Sequence, residues 1–294
     1  MKKFPRTEVA GLSLPRMLIG TNWMLGWSHK SPAADNMIKT KFSKPEAFFP
    51  VLEAFLTYDI NAIMGVFGEL PLAWDAVKYA EDKTGKEMII IDTPIINVSD
   101  SPDGRREAEA TIKRCAKSGA KFCFPHHVSV EKLVDKEKAE IRRIGDYTSM
   151  IRDAGMIPGF SAHMPEIIVY SDANGYDVET YIQLFNCMGF LMQIEVETIA
   201  GIIHNANKPV MTIKPMAAGR ITPYVGLTFN WNALRPIDLI AVGCFNENEV
   251  HENVEISFAA LENRFPNLER RASPDNKQAA FGGDTRDSYD PKIS

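Results

Sequence analysis

Three short apolar runs lie within residues 156–219: Met156–Phe160, Phe190–Ile194 and Pro209–Ile213. Each gives way at its C-terminal end to polar side chains: Ser161 and His163, then Glu195 and Glu197, then Lys214. Patterns of helical period separate the runs. Continuous apolar runs of this length suit strands covered on both faces, and strands that alternate with helices pair in parallel. In such sheets the chemistry sits where the strands end. The stretch therefore aims a Ser, a His, two Glu and a Lys at one rim.

The same alternation extends over the rest of the chain. Glu8–Pro15 is turn-rich and suits a hairpin that plugs the bottom of a barrel. Strands are expected at Met17–Asn22, Ile60–Met64, Met88–Ile91 (ending at Asp92), Lys121–Phe124 (running into Pro125–His126–His127), 156–160, 190–195, 209–213 and Ile237–Val242. Helices are expected from Lys44 to Tyr58, Pro71 to Lys83, Asp103 to Lys117, Lys136 to Ala154, Asp177 to Cys187 and Glu197 to Ala206. A short one follows at Asn230–Leu234, and Asn246 caps the last, Glu247–Arg264, with Glu249 in the capping-box position. Gly85, Gly119, Gly155 and Gly189 stand where left-handed stops belong. Eight strand–helix units is the number that closes an α/β, (β/α)8 TIM barrel. Residues 1–264 read as that single domain. Residues 265–294, rich in Pro, Asp, Asn, Arg and Gly, read as an irregular polar C-terminal tail.

Composition narrows the function. The chain has 294 residues, 45% of them hydrophobic, and a formal net charge of −5 with no basic block. Nucleic acid is not an expected partner. No apolar run reaches the roughly 20 residues that cross a bilayer, and no apolar segment follows Met1–Lys2–Lys3 as a secretory leader would require. Cys115, Cys123, Cys187 and Cys244 form no CxxC pair and read as reduced thiols. A cytoplasmic protein with a small-molecule substrate is expected, with a second copy of the chain as the other candidate partner. The long connection Trp23–Ser43 carries Gly26, Trp27, His29 and Pro32. Loops of that length tend to be functional. Asn22, Trp23 and His29 are candidate substrate contacts, although the Trp rings could instead pack the loop onto the barrel.

Several segments together resemble the aldo-keto reductase superfamily in a divergent form. Gly11–Leu12–Ser13–Leu14–Pro15 with Gly20–Thr21 is similar to that family's opening. Gly159–Phe160–Ser161–Ala162–His163–Met164–Pro165–Glu166 resembles its strand-five segment, Met192–Gln193–Ile194–Glu195 its strand-six segment, and Pro215–Met216–Ala217–Ala218–Gly219–Arg220 the segment after strand seven. Val242–Gly243 with Glu252–Asn253 resembles the last strand and the helix on the cofactor side. The resemblance implies a TIM barrel. It also implies a nicotinamide amide near Ser161 and Gln193, with Glu252 and Asn253 near the adenine. The family's catalytic Asp and Tyr after strand two stand here as Met64 and Phe67, and its Lys after strand three as Asp92–Thr93. A phenyl ring has no hydroxyl with which to protonate a carbonyl oxygen. Only the His after strand four has candidates, His126 and His127. Glu247 and Glu249 at the start of the last helix would repel a 2′-phosphate.

The polar residues at the expected strand ends suggest other chemistry. His126 after strand four, His163 after strand five and Glu195 at the end of strand six come from consecutive strands about 4.8 Å apart. Two His and a carboxylate are a common way to hold a divalent metal with positions left open. A single His at a strand end, by contrast, is usually a hydrogen-bonded structural residue. The leading expectation is metal-assisted lyase, isomerase or hydrolase chemistry on a small polar or sugar-like substrate, with zinc, manganese or iron on His126, His163 and Glu195. Lys214, Asp92 and His126 are the acid–base candidates and Arg220 the substrate anchor. The alternatives are an NAD(P)-dependent oxidoreductase with a reorganised site and a non-catalytic ligand-binding barrel.

Overall fold

The computed structural model describes residues 2–268. A β-hairpin comes first, β1 (Arg6–Val9) and β2 (Leu12–Pro15), closed at Ala10–Gly11, both with positive φ. Val9 and Leu14 turn inward and join the barrel interior as its plug. The barrel begins at β3 (Met17–Gly20), followed by α1 (Asn22–Leu25), α2 (Pro32–Lys41) and, after a 3-10 turn, α3 (Phe49–Thr57). Then come β4 (Ala62–Gly65), α4 (Pro71–Thr84), β5 (Ile89–Asp92), α5 (Pro102–Lys117), β6 (Phe122–Cys123) and α6 (His127–Val130). A small hairpin, β7 (Val134–Asp135) with β8 (Glu140–Ile141), leads to α7 (Ile144–Asp153). Strand five is split into β9 (Ile157–Pro158) and β10 (Phe160–Ala162), and α8 (Glu166–Asn174) follows. The remaining units are β11 (Tyr181–Leu184), α9 (Val196–Asn205), β12 (Val210–Ile213), α10 (Pro223–Ala233), β13 (Leu239–Gly243) and α11 (Glu247–Leu261).

The parallel strands run in the order β10-β11-β12-β13-β3-β4-β5-β6-β9. The two ends of that order are the halves of one strand, so the sheet closes on itself at strand five. The split falls at Gly159, where a Cβ would stand 2.4 Å from the Phe124 ring and 2.9 Å from the Thr180 carbonyl oxygen. Only a residue without a side chain lets Phe124 fill the barrel there. Pleat alternation then sorts the apolar residues into two cores. Leu18, Ala62, Ile91, Phe122, Ile182, Met211 and Leu239 fill the interior. Ile19, Ile63, Ile90, Tyr181 and Ile240 face the helices.

Three segments depart from the sequence reading. Trp23–Ser43 is not a bare loop: Ser31 caps α2, its hydroxyl accepting from the Ala34 amide, with Pro32 in the first turn. The expected helix at 136–154 is helical only from Ile144, since β7 and β8 occupy its first part. Strand six is Tyr181–Leu184 rather than 190–195, and the helix expected at 177–187 is instead α8, eleven residues earlier at its start (166 against 177). All four cysteines are free, and Cys115, Cys123 and Cys244 are buried. No helix among the described residues is long and apolar enough to cross a membrane. Of the expected tail, residues 269–294 lie outside the described residues.

Candidate active site

A cavity of about 570 Å³ opens at the C-terminal ends of the strands. Its floor is apolar, made of Met64, Ile182, Ile213 and Ala241. Asn22, Trp23, Trp27 and His29 form one wall, His126, His127, Ser161 and His163 another, and Lys214 with Ala218 and Gly219 a third. A larger groove of about 1360 Å³ runs outside the barrel between residues 95–100 and 140–146. The side chains that converge from separate strands all belong to the smaller cavity.

Each polar group reaches this cavity for a local reason. Ser161 is the middle residue of β10, between Phe160 and Ala162, which face the helices. Alternation therefore turns Ser161 inward, where it is buried, and its hydroxyl has no hydrogen-bond partner among the described residues. His126 ends the connection after β6 as the N-cap of α6, with its Nδ1 3.5 Å from the Val128 amide. His127 begins that helix, and one turn later Glu131 faces it at 3.5 Å from Nδ1, in a geometry that makes no hydrogen bond. Oε1 of Glu131 accepts from the His163 and Met164 amides at 2.6 and 3.0 Å. The carboxylate thus ties the loop after β10 to α6. The His127 and His163 rings stack, centroids 3.7 Å apart and 17° from parallel, and His126 lies 4.3 Å from His127.

Lys214 follows β12 with φ 59°, and Ala217, Ala218 and Gly219 also have positive φ, at 48°, 55° and 77°. Left-handed backbone costs a non-glycine residue about 1 kcal/mol or more, and such strain gathers at functional segments. The Lys214 side chain makes neither hydrogen bond nor ion pair with any described residue.

The electrostatics follow from this placement. Burial lowers the Lys214 pKa to about 8. Burial, with the charges of His127 and Lys214, lowers His126 to about 4 and His163 to about 3. Both imidazoles are therefore neutral near pH 7. Burial opposes the charged form of Glu131, but His127 and the His163 and Met164 amides outweigh it and hold the carboxyl below its ordinary value.

Asn22, Trp23, His29, His126, Ser161, His163 and Lys214 thus meet as the sequence suggests. Six other candidates do not. Asp92 follows the inward Ile91 and so turns outward, fully buried, accepting from the Phe67 and Gly68 amides at 3.0 and 2.8 Å. Burial raises its pKa against those hydrogen bonds. It holds the loop after β4 rather than lining the cavity. Glu195 is the exposed N-cap of α9, because strand six lies earlier, and it cannot join His126 and His163 on an ion. Gln193 is exposed in the loop before it. The strand-six glutamine is Gln183, register partner of Ala162, which faces the helix layer. Arg220 stands outside the cavity, donating to the Ala217 and His29 carbonyl oxygens and lying 4.1 Å over the Phe190 ring. Its guanidinium ties the loop after β12 to the β3 side of the mouth. Glu252 lines a separate groove beside Tyr224, and Asn253 is buried with its amide donating to Cys244 Sγ at 3.3 Å.

The residue that sequence reasoning missed is Glu131. His127, Glu131 and His163 are the group of three among the described residues whose ligand atoms lie within 4.8 Å of one another. The signal was present as His127-x-x-x-Glu131, the spacing of neighbours on one helix face.

No family model matches the chain, and no curated protein matches it in sequence. Solved structures do match the fold. A candidate aldo-keto reductase from Pseudomonas aeruginosa superposes with a TM-score of 0.63 at 12% identity, over 89% of this chain and 98% of that one. An aldo-keto reductase from Klebsiella pneumoniae in complex with NADPH gives 0.56 at 14% identity, over 91% and 92%. Aldose reductase from Giardia lamblia gives 0.50 at 12%, over 94% and 97%. At such identities the likeness is one of fold: a divergent, aldo-keto reductase-like TIM barrel.

Proposed function

We propose that this chain is an NAD(P)-linked oxidoreductase of small polar carbonyl compounds, working with a reorganised aldo-keto reductase site. One observation carries the reading. On a barrel of that fold, the cavity at the strand ends is lined by Ser161, whose hydroxyl has no partner among the described residues, and by the Trp23 indole. A hydroxyl suits a carboxamide, and an indole face suits a flat ring. These two residues would hold the nicotinamide end. Glu252 and Asn253 lie apart from the cavity and have no part in this reading. A bound nicotinamide supplies or accepts the hydride.

The chain itself handles the proton. Phe67 is buried in the helix layer and offers no hydroxyl. Lys214, with a pKa of about 8, is mostly protonated at pH 7 yet close enough to that pH to give its proton to a forming alkoxide. The Val128 amide points at His126 Nδ1, which favours the proton on Nε2, and that neutral N–H can polarise the carbonyl oxygen. Titration of the protein into NADPH and into NADH should give a saturable fluorescence change with at least one of them. Ser161→Ala should weaken that binding roughly 5- to 10-fold, the worth of about one hydrogen bond. An absence of any change with either nucleotide at high protein concentration would remove the reading.

A second reading rests on His127, Glu131 and His163. With zinc, manganese or iron, such a set would support metal-assisted lyase, isomerase or hydrolase chemistry. The near-parallel rings put the two imidazole lone pairs in parallel planes, so one ring must turn about its Cβ–Cγ bond before both meet one ion. Elemental analysis of protein purified without chelator or metal-binding tag checks this. About one equivalent per chain, lost in Glu131→Gln, supports the metal, and a metal-free preparation that also takes up no added zinc sets it aside.

A further inference from the structure

Lys214 combines features that an acid alone does not require. Its side chain lines a cavity with an apolar floor, it carries no counter-ion, and its backbone is held left-handed at the end of a barrel strand. Three surface lysines of this chain are held differently: Lys78, Lys113 and Lys136 each pair with a carboxylate 2.6 Å away. We propose that Lys214 is a nucleophilic amine that condenses with small ketones and aldehydes bound in the strand-end cavity, forming a Schiff base. The inference goes beyond the oxidoreductase reading and does not depend on a nicotinamide.

The chemistry closes on groups of the cavity. The free amine nitrogen attacks the carbonyl carbon, a C–N bond forms, and the carbonyl π electrons move to oxygen. The nitrogen gives up a proton and the oxygen takes one, which yields a carbinolamine. Loss of that oxygen as water leaves the C=N bond. The proton passes from nitrogen to the departing hydroxyl, and the neutral imidazoles of His126 and His163, which line the same cavity, can donate hydrogen bonds to that oxygen. The apolar floor of Met64, Ile182 and Ala241 favours the uncharged amine over the ammonium. The titratable groups that line the cavity with Lys214 are His29, His126, His127, His163 and Glu69, and Arg220 donates to the His29 carbonyl oxygen outside it. None of them is paired with the amine. A protonated Schiff base is an electron sink, so the ligand class is a small carbonyl compound with an adjacent bond to break: a hydroxyketone, a hydroxyaldehyde or a 2-oxo acid.

The test is reductive trapping on the whole chain. Protein is incubated with dihydroxyacetone or pyruvate and sodium cyanoborohydride near pH 8, and the labelled peptides are sequenced by mass spectrometry. Cyanoborohydride supplies the hydride that converts C=N to a stable secondary amine. The expected result is about one adduct per chain, at Lys214, at probe concentrations where the exposed Lys39 and Lys113 are labelled at least 10-fold less. Lys214→Arg should abolish that adduct while Lys30→Arg, at the mouth, keeps it, with unfolding midpoints confirming that both variants fold. Labelling that follows exposure, with Lys214 no faster than Lys39, overturns the proposal. Because trapping needs no nucleotide, its failure is distinct from a failure to bind NADPH.

Discussion

At the scale of single residues, the direction a side chain takes from its strand decides its role more than its chemistry does. Asp92 and Ser161 both belong to strand C-terminal ends, one facing the helices and one facing the cavity. Asp92 is a structural acceptor: its two oxygens receive the Phe67 and Gly68 amides. Asp92→Asn keeps the shape but replaces one acceptor oxygen with an NH2 that faces an N–H donor. A buried amide left without an acceptor costs about 1–3 kcal/mol, so this variant should lose roughly that much stability in urea unfolding. A catalytic Asp92 would behave otherwise, since its neutral variant would keep full stability and lose only turnover. Lys214 shows the opposite placement, with its charge delivered to the cavity and left unpaired. The sequence flags both residues as polar ends of apolar runs. Which way each points depends on where its strand starts, and a shift of one residue reverses the direction.

At the scale of elements, the barrel was legible wherever a strand and its stop signals agreed. Pro71 and Gly85 bracket α4, and Ser101 and Gly119 bracket α5, as their residue types predict. Strand six was not legible, for a physical reason. Tyr181–Ile182–Gln183–Leu184–Phe185 is apolar nearly throughout, and periodicity alone cannot separate a buried strand from a buried helical turn. Leu191–Met192–Gln193–Ile194–Glu195 alternates as a half-buried strand should. The alternation is real, with Leu191, Gln193 and Glu195 exposed and Met192 and Ile194 partly buried against the core. It belongs to a loop lying along the barrel surface. That displacement of strand six took Glu195 out of the expected metal set and Gln193 out of the expected amide site. Glu131 falls between the strand expected at Lys121–Phe124 and the helix expected from Lys136, in a segment with no apolar period to place it. Its carboxylate gains a role only when α6 brings it beneath the loop after β10.

At the scale of the whole molecule, the cavity makes folding depend on pH in a definite direction. His126 and His163 come from separate connections, and burial together with neighbouring positive charge lowers both, to about 4 and about 3 from 6.5. Between those values and 6.5 the unfolded chain binds protons that the folded chain refuses. Stability therefore rises with pH across that window and is lost as pH falls below about 6.5. The carboxylates whose values are lowered, Glu131 among them, begin to act only nearer 4.5; between pH 6.5 and 5, His29, which burial also lowers, adds to the two imidazoles, and Asp92, which burial raises, opposes them. Both rings are partly solvated, which discounts the effect to on the order of 1 kcal/mol each at pH 5. For a chain of this size that is a fall of a few degrees in Tm. Lys214 adds a term of the same sign at alkaline pH. Its value is lowered from 10.5 to about 8, and over that range stability again rises with pH. Melting curves from pH 5 to 7 should thus slope upward in the unaltered protein. They should slope less steeply in a His126→Asn, His163→Asn double variant, which keeps polar side chains there, removes these two titrations and leaves that of His29. An equal slope in the two proteins would mean that these histidines meet solvent freely and that the cavity does not disfavour charge as the role of Lys214 requires.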